Sequence, residues 1–132
     1  MIGLDTNVLV RYIVQDEPAQ SAAATSVIES LTEESPGFVS LVAVLEVDWV
    51  LRRIYQLSRE RALAVLRRLL DSVEIIVQDA ELLRRVISQP GGAELADAMA
   101  SELGRRAGCE HTLTFDRRAA RSLGGMKLLR VR

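Results

Sequence analysis

The chain has 132 residues, a length typical of one domain that can bury a sizeable hydrophobic core. Its hydrophobic content of 48% excludes a disordered chain, and its net charge of −1 excludes a generally basic arm or a membrane-surface helix. Cys109 and His111 are the only cysteine and histidine, which excludes an intrachain disulfide and argues against Ser-His-Asp and Cys-His catalysis.

Apolar periodicity and turn residues predict strands alternating with helices along the whole chain. The first strand ends at Asp5, and a helical run follows it at once. The other boundaries are marked by proline at helix starts, by hydroxyl and acidic caps, and by Pro-Gly or Gly-Gly breaks. The predicted strands cover residues 1–4, 38–40, 73–77, 111–115 and 126–131. The predicted helices cover residues 8–14, 19–34, 41–55, 59–70, 80–88, 93–107 and 117–123.

This alternation predicts an α/β fold, a three-layer α/β/α sandwich with a central, mostly parallel sheet covered by helices on both faces. The sequence contains no linker, internal repeat or low-complexity tract. We therefore expect residues 1–132 to form a single domain. No apolar run reaches membrane-spanning length and no signal peptide is present, so we expect a cytoplasmic protein that does not bind a membrane.

Four acidic residues occupy positions where chemistry is expected. Asp5 and Asp116 follow strands, whereas Glu46 and Asp97 lie in helices with apolar neighbours. Because the carboxyl ends of parallel strands meet at one edge of a sheet, we expect the four carboxylates to converge there. Each acid alone also has a structural interpretation, as a helix cap, an Asx-turn or the partner of an arginine.

Helical spacing predicts which sides of two helices are buried. Glu46 shares a side with Val42 and Trp49, and we expect that side to be covered, whereas Asp48 should lie outside and pair with Arg52. In the helix predicted at 93–107, Asp97 should lie beside the inward stripe and Glu94 and Glu102 should lie in solvent. The residues of that stripe are Ala96, Met99, Ala100, Leu103 and Ala107.

Converging carboxylates need a counter-charge, because two like charges about 4 Å apart repel by roughly 4 kcal/mol at an effective dielectric of 20. An all-oxygen site without His or Cys suits Mg²⁺ or Mn²⁺. Such an ion activates water and stabilises the leaving oxygen of a phosphodiester. The neutral residues beside the acids, Thr6, Asn7 and Thr114, are expected to support the acids or contact the scissile phosphate.

The sequence resembles the PIN-domain ribonucleases, and within them the VapC-like toxins of bacterial type II toxin–antitoxin pairs. The resemblance rests on Leu4-Asp5-Thr6-Asn7, on Glu46 after the second strand, on Asp97 in the alanine-rich helix, and on Thr114-Phe115-Asp116. It implies an α/β/α sandwich, a homodimer and Mg²⁺- or Mn²⁺-dependent cleavage of single-stranded RNA, and it makes Asp5, Glu46, Asp97 and Asp116 the metal-binding catalytic acids. A cognate antitoxin would block the site.

Arginine doublets along the chain are candidates for RNA phosphate contacts, and Arg117 and Arg118 are favoured because they adjoin Asp116.

Two other functions stay open. A phosphatase of the haloacid-dehalogenase type would use Asp5 as nucleophile, but it requires an acid where Asn7 stands. A non-catalytic module, such as a receiver or another acidic-pocket binding domain, would keep the acids without hydrolysing RNA.

Overall fold

Short parallel strands alternate with helices in the computed structural model, which describes all residues from 1 to 132. The chain divides into two units, Met1–Ala80 and Glu81–Arg132. Every pair of hydrogen-bonded strands is parallel, and helices occur between successive strands. The predicted α/β class with parallel strands is therefore confirmed, and the strands form two sheets, one in each unit.

The first unit is built on a three-stranded sheet with β2 in the middle. Its elements are β1 (Ile2–Gly3), α1 (Thr6–Val14), α2 (Pro18–Glu29), β2 (Gly37–Val39), α3 (Leu41–Arg53), α4 (Arg59–Asp71) and β3 (Ile75–Val77). Backbone bonds extend the strand pairing, since Leu4 N donates to Phe38 O at 2.8 Å and Gln78 N donates to Val39 O at 2.9 Å. The carboxyl ends of the three strands are therefore level at one edge of this sheet.

The second unit contains a separate pair of parallel strands. Its elements are α5 (Ala80–Ile87), α6 (Leu95–Arg106), β4 (Thr112–Thr114), α7 (Arg117–Ser122) and β5 (Met126–Leu128). The first residue of α5, Ala80, is the last residue of the first unit. Thr112 N donates to Gly125 O at 2.7 Å and Leu129 N donates to Thr114 O at 2.7 Å, so the pairing continues at both ends of β4. The carboxyl end of β4 leads directly into α7.

Aliphatic side chains form the core of each unit. The fully or almost fully buried residues of the first unit are Leu9, Val39, Val44, Val47, Leu51 and Leu66, and those of the second are Leu82, Leu83, Met99 and Ala119. Most predicted helix boundaries agree with the structure within two residues. The exception is α2, predicted to reach residue 34, which ends at Glu29 because Leu31 is buried and a hydroxyl-stabilised turn follows from Thr32 to Ser35.

The predicted buried side of α3 is wrong. Val42 is 66% exposed and Trp49 and Glu46 are also exposed, whereas Val44, Val47 and Asp48 are buried. The helix is apolar on nearly all sides, so its pattern does not define one inward stripe. The buried side of α3 carries Ala43, Val44, Val47 and Leu51, and Asp48 is buried beside them. Arg52 forms an ion pair with Asp48 at 3.7 Å.

The predicted stripe of α6 is also wrong, apart from Met99. The buried residues are Leu95, Ala98, Met99, Ser101 and Glu102, whereas Ala96, Ala100, Leu103 and Ala107 are exposed. Glu102, expected in solvent, is only 8% exposed. Its charge is accommodated because three arginine side chains surround its carboxylate.

A matched pair of substitutions tests the orientation of α3. Val44→Ala is expected to lower the free energy of unfolding by about 2 kcal/mol, because it removes two buried methyl groups and leaves a cavity. Val42→Ala, the same change on the exposed side, should alter it by less than about 0.5 kcal/mol. Urea unfolding followed by circular dichroism measures both, and a larger loss for Val42→Ala would contradict this orientation.

Candidate functional site

The N-terminal motif lies where β1 passes into α1. Asp5 is the N-cap residue of α1 by its extended backbone, but its exposed side chain makes no capping hydrogen bond. Its carboxylate is therefore not occupied by the helix end that it precedes. Ser40 follows β2 at the same level, and its Oγ accepts a hydrogen bond from Ala43 N at 3.1 Å, which starts α3. At this edge of the sheet, the Ser40 hydroxyl is thus used as a helix cap, whereas the Asp5 carboxylate is not.

The two neutral residues after Asp5 have different environments. Thr6 is only 6% exposed, and its Oγ1 has no hydrogen-bond partner. Asn7 is exposed and lines a mostly apolar cavity of about 430 Å³ together with Arg11 and Gln20. A buried hydroxyl without a partner costs about 1–3 kcal/mol, so Thr6 lowers the stability of the fold, and Asn7 is the residue of the two that a ligand can reach.

Glu46 lies in the second turn of α3, on its exposed side. Helices α1 and α3 pack against each other in the first unit. The carboxylate of Glu46 is therefore accessible, as a metal ligand must be, although the apolar covering predicted from the sequence is absent. Exposed Val42 and Trp49 lie on the same side of the helix.

Asp116 is positioned by two hydrogen bonds in the second unit. Its Oδ1 accepts from Ala119 N at 3.0 Å and caps α7, and its own backbone N–H donates to Thr114 Oγ1 at 3.0 Å. Thr114 therefore holds the backbone of Asp116. One carboxylate oxygen of Asp116 is engaged by the cap, so the other oxygen is the one available to a ligand.

Asp97 lies in the first turn of α6 and is half-buried. Burial raises the pKa of Asp97 above its ordinary value, and the nearby charges of Asp116 and Glu94 raise the pKa further. The structure thus brings Asp97 and Asp116 close enough for their charges to interact. Glu94 is a third acid of this group that the sequence interpretation placed in solvent, although its spacing three residues before Asp97 on the helix pointed to proximity.

The donors of each unit are suited to a hard cation. Asp97, Asp116 and Glu94 offer only oxygen atoms, and the raised pKa of Asp97 reflects a repulsion that a divalent cation would relieve. Within either unit, no three His, Cys, Asp or Glu side chains are grouped closely enough to hold a metal by themselves. By their oxygen chemistry, Asp97, Asp116 and Glu94 fit Mg²⁺ or Mn²⁺ as part of a ligand set.

The basic residues beside Asp116 have distinct positions. Arg117 begins α7 and is exposed. The guanidinium of Arg118 approaches Gly92 so closely that a Cβ at position 92 would lie 2.6 Å from Arg118 Nη2. Gly92 therefore allows Arg118 to pack on the loop before α6, and both arginines remain exposed.

These features agree with a comparison of the whole sequence with protein families. A sequence model of the PIN domain matches residues 2–122, and the chain therefore belongs to the PIN domain family. Proteins of this family are nucleases, and PIN nucleases generally use divalent metal ions. The resemblance to this family noted from the sequence is confirmed.

A comparison with solved structures finds a chain of similar length. The chain is similar to VapC20 of Mycobacterium tuberculosis, described as a sarcin-ricin loop cleaving toxin, with 16% sequence identity and a TM-score of 0.46. The similarity covers 92% of this chain and 94% of that chain. No curated protein sequence matches the chain significantly. None of the helices is both long enough and apolar enough to cross a membrane.

The proximity of Asp97 and Asp116 can be tested directly. Asp116→Asn is expected to lower the pKa of Asp97 toward its ordinary value, because it removes the neighbouring charge while asparagine still caps α7. Glu94→Gln should lower the same pKa by less, since Glu94 raises it less than Asp116 does. Carbon NMR titration of the side-chain carboxyl in metal-free protein measures the value. An Asp97 pKa unchanged in Asp116→Asn would show that the two carboxylates do not interact.

Proposed function

We propose that this protein is a metal-dependent endoribonuclease, the toxin component of a type II toxin–antitoxin pair. It hydrolyses RNA phosphodiesters with Mg²⁺ or Mn²⁺ as cofactor. We further propose that residues 1–132 act as one PIN domain, so that acids of both units serve the same reaction. The match to the family model supports this, because it extends from residue 2 to residue 122 and so includes parts of both units.

The observation that carries the proposal is the interaction of Asp97 with Asp116. A half-buried carboxylate beside a second carboxylate is unfavourable in a protein that only needs to fold, and such perturbed acids are typical of functional sites. Asp5 supports the same interpretation, since its carboxylate follows a strand and is not used to cap the next helix. These carboxylates offer only oxygen ligands, which matches the preference of Mg²⁺ and Mn²⁺.

Each residue is assigned a role on this basis. Asp5, Glu46, Asp97 and Asp116 would hold the cation through carboxylate oxygens. When bound, the cation supplies an activated water and stabilises the charge on the leaving oxygen. Thr114 fixes the backbone of Asp116, and the exposed Asn7 amide donates a hydrogen bond to the scissile phosphate. The buried Thr6 supports the neighbouring Asp5 from inside the fold. Arg117, exposed at the start of α7, binds a phosphate oxygen of the RNA.

The proposed partners are a cognate antitoxin and a second copy of the chain. The exposed apolar side of α3, with Val42 at 66% and Trp49 at 55% exposure, supports a protein partner, because neighbouring exposed apolar groups of this size mark interaction surfaces. The resemblance to the VapC-like group supports both partners.

Removing one acid is expected to stop RNA cleavage. Asp5→Asn, Glu46→Gln and Asp97→Asn should each lower the cleavage rate by more than about a hundredfold, because loss of a ligand exceeds the 10–100-fold effect of residues that merely support ligands. Excess chelator should have the same effect, and added Mn²⁺ should reverse it. The measurement is cleavage of total RNA with mapped ends.

Matched surface changes provide the control. Asp71→Asn and Glu60→Gln alter exposed acids of α4 and should retain full activity and the circular dichroism of the unaltered chain. Full activity in Asp5→Asn or Asp97→Asn would contradict the assignment. Intact acids without hydrolysis of any RNA would favour the non-catalytic binding module.

A double substitution tests whether acids of both units serve one reaction. If they do, Asp5→Asn with Asp97→Asn together should be no slower than the slower single variant, because residues that act as a unit are not additive. Single-turnover cleavage rates measure this. Multiplying losses would instead indicate that each unit contributes independently.

A further inference from the structure

Three arginine side chains surround one buried glutamate in the second unit. Arg105 donates to Glu102 twice, from Nη2 to Oε1 at 2.6 Å and from Nε to Oε2 at 3.1 Å. Arg85 Nη1 donates to the same carboxylate at 3.3 Å, and Arg106 Nε lies 3.6 Å from it. Arg85 belongs to the last turn of α5, and Arg105 and Arg106 belong to the last turn of α6. The carboxylate thus ties two helix ends together.

The cluster has more positive charge than folding requires. One carboxylate neutralises one of three guanidinium groups, and the hydrogen bond from Arg105 is the main reason that the pKa of Glu102 falls to about 2. Glu102 is therefore ionised above that pH, and the three guanidinium groups still leave the cluster with a net positive charge. The side chains of Arg85, Arg105 and Arg106 remain 57%, 61% and 41% exposed. Each guanidinium has five N–H donors, so several donors still face solvent.

The net positive charge of the second unit also favours an anionic partner. Residues 81–132 contain ten arginines and lysines against six aspartates and glutamates, whereas residues 1–80 contain seven basic residues against twelve acids. The net charge of the whole chain is near zero because the charges of the two units nearly cancel. A polyanion is the partner that such a basic unit attracts.

We propose that Arg85, Arg105 and Arg106, held in place by Glu102, form a surface that binds the phosphate backbone of the RNA substrate. We call it the Glu102 arginine surface. Arginine is suited to this role because its planar fork binds phosphate through two hydrogen bonds, and Glu102 fixes the forks before RNA arrives. The inference rests on the proposed function for the identity of the polyanion.

The position of this surface defines what it does. Asp97 lies in the first turn of α6 and Arg105 in the last, about 12 Å further along the axis at a rise of about 1.5 Å per residue. The Glu102 arginine surface therefore holds phosphates away from the scissile bond. It favours a strand of several nucleotides over a dinucleotide and contributes to binding rather than to the chemical step.

The test uses the full chain with Asp97→Asn, so that RNA stays intact. Fluorescence anisotropy with a single-stranded oligoribonucleotide of about ten nucleotides, a length within the range of single-strand sites, measures binding at a series of salt concentrations. Arg85→Gln with Arg105→Gln should weaken binding at least about tenfold. It should also reduce the salt slope by about 1.4, since each lost phosphate contact removes about 0.7 for a single strand.

The matched control removes two exposed arginines from α4, Arg61→Gln with Arg68→Gln, for the same change in net charge. This control should bind within about twofold of the parent, since it lacks direct phosphate contacts. Equal losses in both double variants would overturn the proposal in favour of net charge alone. Unchanged RNA binding together with lost binding of poly-glutamate would assign the surface to an acidic polypeptide and overturn it too.

A lysine pair guards against a folding defect. Arg85→Lys with Arg105→Lys keeps both charges but loses the forks, so it should keep the salt slope and bind a few-fold more weakly. If the lysine pair reduces the salt slope as much as the glutamine pair does, the loss of binding is due to misfolding and the proposal is overturned.

Failure of this inference and of the proposed function are distinguishable. If the chain with Asp97 intact cleaves RNA but the glutamine pair binds RNA normally, only the surface is disproved. If no RNA is cleaved but binding depends on the Glu102 arginine surface, the surface stands and the nuclease assignment fails. When both hold, the glutamine pair should raise KM for a long strand by a larger factor than it lowers kcat.

Discussion

The electrostatic repulsion around Asp97 is the constraint on which the functional part of the structure depends. This carboxylate is half-buried and lies near Asp116 and Glu94, so its ionised form is unfavourable. The first turn of α6 offsets part of this repulsion, because helix N-termini favour negative charge. Asp116 cannot move away easily, since Ala119 N and Thr114 Oγ1 hold it. The remaining repulsion is available to attract a cation.

The elements and the chemical motifs were largely predictable from the sequence, because both depend on local patterns. Strand ends at Asp5 and Asp116 follow from neighbouring residues, and the structure has each at its predicted junction. The family assignment rests on the same motifs in their order along the chain. A match from residue 2 to residue 122 agrees with that order.

The faces of the helices were not predictable, because they depend on what packs against them. Helix α3 is apolar on nearly all sides, so both Glu46 and Asp48 were acceptable as the inward acid, and packing selected Asp48. Glu102 was misplaced for a different reason. One of its partners, Arg85, lies seventeen residues earlier on another helix, and no local spacing reveals such a pair. Buried charges become visible only when their distant partners are known.

Helix α6 joins two kinds of surface through one rigid element. Acids lie in and just before its first turn and arginines in its last, an order that the helix dipole favours at both ends. The distance between Asp97 and Arg105 is therefore fixed by helix geometry and not by a flexible loop. A strand bound at both ends would be held in a defined register relative to the acids.

The buried hydroxyl of Thr6 has a consequence for the balance between stability and activity. Valine has nearly the same shape and would fill this space without leaving a hydroxyl hidden from water and without a partner. The threonine therefore makes the folded chain less stable than its own packing would permit. The chain thus loses stability at an internal position directly after Asp5, whose carboxylate is not used to cap the helix that follows.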